Sequence, residues 1–206
     1  LIGYLRETKG DEAAGEAMEA EHLVAISTLR GLAIEGKEKA IFQYLKDWKE
    51  AGNGKLLVFG LHRETLDKLA EKYDGDLIAG GVSSKKKQEI VKKWQKDDNI
   101  FLFGNLQSAG TGIDGLQNVS SNMLFLELPW RVSDLTQGYG RLHRSGQKES
   151  VTVTFLLCPE TIDKQMMEML SEKEIVTEAV NKGLDIRKSD SGLKNVFKAI
   201  KAKHNK

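Results

Sequence analysis

Between Lys55 and Leu157 the chain alternates short apolar runs with amphipathic stretches, and this alternation restricts the fold more than any other feature. LLVFG (56–60) follows the breaker AGNGK and is made of strand-forming residues. HRETLDKLAEKY (62–73) places Leu66, Leu69, Ala70 and Tyr73 at helical spacing. DLIAGG (76–81) reads as a short strand ending in glycines. SSKKKQEIVKKWQKD (83–97) opens with serine caps and keeps Ile90, Val91 and Trp94 on one helical face. NIFLFG (99–104), NMLFLELPW (122–130) and SVTVTFLL (150–157) read as strands. SDLTQGYGRLHR (133–144) and ETIDKQMMEMLSEKEIVTEAV (160–180) read as helices. Strands alternating with crossover helices predict an α/β fold, a parallel sheet of five strands covered on both faces. The strands are continuously apolar, as strands buried on both faces are. Such sheets bind ligands beyond the carboxyl ends of their strands, and the glycine-rich stretches here follow strands.

The flanks differ from this middle. Residues 1–22 are polar and acidic, and read as a helix or a partly disordered segment. GKEKAIFQYLKDWKEAG (36–52) predicts a helix leading into the first strand. Beyond Gly183 the text turns basic, with Leu193, Val196, Phe197 and Ile200 spaced for a short amphipathic helix. Net charge is +1, so any surface for nucleic acid must be local. Cys158 is the single cysteine, so no internal disulfide forms and an intracellular setting is expected. No apolar run approaches the roughly 20 residues of a membrane span, so no membrane partner is expected. The chain starts at Leu1 without a signal-peptide pattern and reads as a piece of something longer.

Two stretches invite a phosphate reading. GLAIEGKE (31–38) comes close to a Walker A loop. It lacks the preceding strand, and Glu38 stands where that loop needs a Ser or Thr for Mg²⁺. A helix–loop–helix connection is expected there instead. No apolar strand ends in an Asp-Glu pair, and no metal site is expected. The second stretch is QGYGRLHRSGQ (137–147). If 133–144 is helical, Gln137, Arg141 and Arg144 share one face. Planar arginine forks on such a face suit a phosphate bound elsewhere, the role of an arginine finger.

PWRVSDLTQGYGRLHRSGQ resembles motif VI of superfamily-two helicases in their Swi/Snf-type form, W-N-P-x-x-x-x-Q-A-x-D-R-x-H-R-I-G-Q. KLLVFGLHRETLDKL resembles motif IV of that family. LIAGGVSSKKKQEIVKKWQ resembles its I-D-G-S-T-x-x-x-x-R segment, with Gly80 and Lys87 at the Gly and Arg positions. NLQSAGTGIDG resembles motif V, and ETIDKQMMEMLSEKEIV the family's G-T-I-E-E-x-I helix. The resemblance covers roughly residues 25 to 182. Gly140 replaces the family's acidic residue, Val82 its usual Thr, and Asn105-Leu106 its Ser-Thr pair.

The resemblance implies a RecA-like three-layer sandwich with about five or six parallel strands. It implies the second lobe of a two-lobe, ATP-hydrolysing DNA translocase or helicase, inactive as a fragment. The expected divisions are a connecting segment (1–36), the lobe (37–182) and a basic extension (183–206). ATP and Mg²⁺ would be bound mainly by the first lobe of the same chain. Arg144 and Arg141 would be catalytic toward the γ-phosphate, with Gln137, Gly112 and Asp114 near the nucleotide. DNA, taken as duplex, would meet His62, Arg63, Gly80, Gly81, Ser83, Lys87, Gln107 and Ser108 through its backbone. Two alternatives stay open: an RNA helicase lobe, and a degenerate, non-catalytic DNA-binding or docking domain.

Overall fold

The computed structural model describes residues 2–109 and 113–171, with side chains from residue 24 onward. The elements run α1 (Ile2–Glu50), β1 (Leu56–Gly60), α2 (Arg63–Tyr73), β2 (Asp76–Ile78), α3 (Ser84–Lys96), β3 (Phe101–Asn105), α4 (Leu106–Ala109), a 3₁₀ turn (Leu116–Asn118), β4 (Asn122–Phe125), α5 (Val132–Tyr139) and β5 (Thr152–Phe155). A further helix, α6, covers 162–171. The five strands form one parallel sheet in the order β2-β3-β1-β4-β5. This is the predicted α/β sheet.

Successive side chains of a strand point to opposite faces, and β1 feeds two cores in this way. Leu57 and Phe59 face a cluster with Val91, Trp94, Leu106, Leu135 and Leu142, so α3, α4 and α5 cover that side. Leu56 and Val58 face Ile34, Ile41, Leu45, Leu66 and Leu69, so α1 and α2 cover the other. Phenylalanines bind the layers across strands: Phe59 and Phe125 lie 5.5 Å apart between ring centres, and Phe125 stacks on Phe155 at 5.2 Å. Trp94 is fully buried, as its helical spacing predicts. A third cluster joins α6 to the segment after β4 through Leu128, Met166, Met167 and Leu170.

Three expectations are corrected. The helix–loop–helix connection expected at GLAIEGKE does not exist, because residues 31–38 lie inside α1. Ala33, Ile34, Lys37, Ile41 and Leu45 are buried along one side of that helix, and their packing outweighs the cost of Gly31 and Gly36. The strand expected over 122–130 pairs only through Phe125. Leu126 and Leu128 are buried beyond it, and cations of α1 take their carbonyls. Lys37 Nζ donates to Leu126 O at 2.6 Å, and Arg30 Nη2 donates to Leu128 O at 2.6 Å.

The third correction concerns the helix expected over 133–144, which ends at Tyr139. Glycines at 138 and 140 weaken it. The chain then tightens into i→i−3 bonds, Arg141 N to Gly138 O and Leu142 N to Tyr139 O, and drives Leu142 into the core. Gln137, Arg141 and Arg144 therefore do not share a helical face. The basic stretch 183–206 and the second half of the helix expected at 160–180 lie outside the described residues.

Candidate functional site

The two arginines of QGYGRLHRSGQ sit in the turns after α5, and both reach the segment at Ile113-Asp114. Arg141 Nη1 donates to Ile113 O at 3.0 Å. Arg144 Nη1 pairs with Asp114 Oδ1 at 2.9 Å. Burial lowers the Arg141 pKa, the Arg144 charge lowers it further, and Asp114 opposes both. A guanidinium stays protonated regardless, so two cations are held side by side. The Arg144 and Asp114 side chains are 40% and 67% exposed. A pair so exposed holds by only about 0–1 kcal/mol. It sets the direction of Arg144 without committing it.

Sequence reasoning missed the anchor of this turn. Gln147 Nε2 donates to Ser120 O at 2.9 Å, and its Oε1 accepts from Lys148 N and Glu149 N. The terminal glutamine of the stretch thus ties the arginine turn to the start of β4. Gln137 is placed elsewhere: it opens on a groove of about 390 Å³ with Gln107, Arg131, Ser133 and Asp134. Gly112 lies outside the described residues.

A second group gathers at the carboxyl ends of β2 and β3. Gly81 turns the chain at φ +80°, a left-handed conformation that suits glycine. Ser83 then caps α3, its hydroxyl accepting from Lys86 N at 3.3 Å. Lys87 Nζ reaches across to Ser108 O at 2.6 Å. A Cβ on Gly80 would lie 3.4 Å from Ser108 Oγ, so the two turns touch. Gly80, Gly81, Ser83 and Gln107 are exposed. The structure therefore brings Gly80, Ser83, Lys87 and Ser108 into one patch. An ammonium has three donors, so Lys87 keeps capacity for an anion after serving Ser108.

The third group is the Leu61–Arg63 loop between β1 and α2. Arg63 forms an exposed i,i+4 pair with Asp67 at 3.1 Å. His62 Nδ1 lies 2.5 Å from Glu127 Oε1, a contact no spacing in the sequence announces. Glu127 Oε2 also accepts from Leu61 N at 2.8 Å and His62 N at 3.1 Å. Asn105 Nδ2 donates to Leu61 O at 2.9 Å and joins this loop to the end of β3. The hydrogen bond to Glu127 raises the His62 pKa, against its partial burial. Burial would push the Glu127 carboxyl up, but the His62 ring and the two backbone N–H groups outweigh it, and its pKa falls. Both shifts favour an imidazolium on a carboxylate. One signal was in the sequence: Glu127 is the only charged residue inside the apolar run MLFLELPW.

Lys37, the lysine of the near-Walker stretch, is buried and pairs with Asp163 at 2.7 Å. Among the described residues, no three His, Cys, Asp or Glu side chains gather as metal ligands. Among them also, no helix is long and apolar enough to cross a membrane.

The family model described as the helicase conserved C-terminal domain matches residues 36–146. The human DNA annealing helicase and endonuclease ZRANB3 is 33% identical over 147 residues, covering 68% of this chain and 13% of that protein. The Xenopus tropicalis SWI/SNF-related matrix-associated actin-dependent regulator of chromatin subfamily A-like protein 1 is 30% identical over 145 residues, 68% of this chain and 15% of that one. The chromatin-remodeling ATPase INO80 of Arabidopsis thaliana is 27% identical over 146 residues, 68% and 10% respectively. This chain therefore spans only 10% to 15% of these relatives. The solved C-terminal part of the Fun30 ATPase domain shares the fold, with a TM-score of 0.57 at 22% identity over 64% of this chain and 43% of that chain.

Proposed function

Because the chain belongs to the helicase conserved C-terminal domain family, as a Swi/Snf-type member, we propose that it is the second motor lobe of an ATP-driven DNA translocase. The observation that carries this proposal is the convergence of Arg141 and Arg144 on the Ile113-Asp114 segment, in a chain with no phosphate loop of its own. Lys37 is unavailable to a phosphate, since it is spent on Asp163 and two carbonyls.

The partner lobe of the same protein would supply the phosphate loop and the Mg²⁺ ligands. Bound ATP supplies the phosphoryl group, and the residues here supply charge and position. Arg144 exchanges its weak pair with Asp114 for the γ-phosphate when the lobes close. Arg141 adds a second cation beside it, and the Gln147 anchor keeps the turn from drifting. Asp114 is left free to meet the nucleotide ribose. Duplex DNA lies over the other two groups, its phosphates met by His62 and Arg63, and by Gly80, Gly81, Ser83, Lys87, Gln107 and Ser108. Those contacts are to the backbone and carry no sequence preference.

The test is DNA-stimulated ATP hydrolysis by the two-lobe parent protein, wild type beside Arg144→Ala. Turnover is expected to fall on the order of 10³-fold or more, with duplex binding retained. Unchanged turnover would reject the finger and favour a non-catalytic docking domain. Stimulation by RNA and not by duplex DNA would move the substrate class to RNA.

A further inference from the structure

We infer that Glu127 is a positioning residue that holds His62 as a charged donor to a backbone phosphate of nucleic acid at the Leu61–Arg63 loop. The inference rests on the proposed DNA contact of that loop and names the device behind it. The Glu127 side chain is only 4% exposed, so its charge is not held mainly by solvent. Its three donors come from two consecutive residues, Leu61 N, His62 N and His62 Nδ1. A buried carboxylate is costly unless fully bonded, and among the described residues its hydrogen bonds all go to this loop, with Arg30 of α1 adding only a longer-range charge. Its geometry fixes both the loop backbone and the ring plane. With Nδ1 committed to Glu127, the remaining donor of the ring is Nε2–H. The ring is 32% exposed, so an incoming phosphate can reach it.

The consequence is a pH-dependent grip. The groups facing His62 are Glu127 after β4, Arg30 from α1 and Glu64 from α2. Glu127 and Glu64 favour the imidazolium, and Arg30 disfavours it. Since the folded pKa of His62 is raised, the cation is fully present at low pH and is lost only as pH rises through that raised value. Replacing the carboxylate removes the main cause, so the ring discharges at lower pH.

The experiment measures binding of this chain to a fluorescently labelled DNA duplex across pH, for wild type, Glu127→Gln and the double variant His62→Lys/Glu127→Gln. Glu127→Gln is expected to bind about tenfold weaker at neutral pH, the loss of one charge-assisted hydrogen bond. Near pH 5.5, below the ordinary histidine value of about 6.5, it should match wild type. The lysine in the double variant, charged throughout, should restore binding at neutral pH. Equal loss at every pH, or superimposable profiles, would overturn the inference and leave the motor proposal standing. No binding by wild type at any pH would overturn the inference, while the motor proposal is decided separately by ATP hydrolysis of the two-lobe protein. Should Glu127→Gln fail to fold, the wild-type chain still decides by NMR titration of the His62 ring. Its midpoint must lie above about 6.5 and rise when duplex is added; a midpoint at or below that value overturns the inference.

Discussion

Lys37 stands where a phosphate-binding lysine would stand in GLAIEGKE, yet its ammonium is buried between Asp163, Leu126 O and Leu156 O. Asp163 Oδ2 also accepts from Cys158 N at 2.9 Å. The cluster joins α1, the ends of β4 and β5, and α6. Lys37→Ala leaves the carboxylate buried and the two carbonyls without their donor. Removing one partner of a buried pair costs about 3–5 kcal/mol. Urea unfolding of this variant should therefore show a midpoint well below wild type, with unchanged steepness. A midpoint within error of wild type would show that water replaces the ammonium at little cost. The sequence withheld a phosphate role from this lysine, because no strand precedes it and Glu38 follows it. Its partners were not legible, because Asp163 lies far along the chain and nothing local pairs them. Glu127 was missed for a related reason: two of its partners are backbone groups, which leave no mark in a sequence, and only its place in an apolar run singled it out.

At the scale of elements, existence was legible and ends were not. The five strands show as apolar runs because burial on both faces demands that composition, whatever their partners. Where pairing stops depends on what takes the next carbonyl, and after β4 that is a cation of α1. The end of α5 was misread because the helical spacing of Leu135, Tyr139 and Leu142 persists past the point where glycines release the backbone. The residues that the resemblance assigns to DNA fall in two patches, whereas Gln137 sits apart from the arginines. Gly138 shows how tightly α5 is seated: a Cβ there would lie 3.0 Å from Leu106 Cδ1 and 3.0 Å from Phe125 Cζ. Both neighbours are buried, so neither yields easily. Gly138→Val is expected to destabilise by about 1–3 kcal/mol, the usual cost of overpacking. Thermal unfolding is the measurement, and a melting temperature equal to wild type would mean that α5 is free to slide. Since the arginine turn follows α5 directly, the same variant in the parent protein should also lower ATP turnover.

For the whole molecule, the proposed chemistry needs a second body. In that proposal the arginines, Asp114 and the two surface patches form one half of a site, and the metal and phosphate ligands would come from the other. This chain by itself is expected to show no ATP hydrolysis above background, with or without duplex DNA, in a phosphate-release assay. A clear DNA-stimulated rate from the 206-residue chain would contradict the division of labour. The strand order carries a separate consequence, for synthesis. β1 is made first but lies in the middle of the sheet, between β3 and β4. Leu56 must wait for Phe101 on one side and for Asn122 on the other. No pair of strands adjacent in sequence can start the sheet by a local turn, because every pairing is parallel and needs a crossover. Such non-local pairing makes folding slow relative to helix formation. On the ribosome, LLVFG stays an unpaired apolar ribbon until β3 has emerged, and its protection falls to α1 and α2, the two helices completed around it before any partner strand exists.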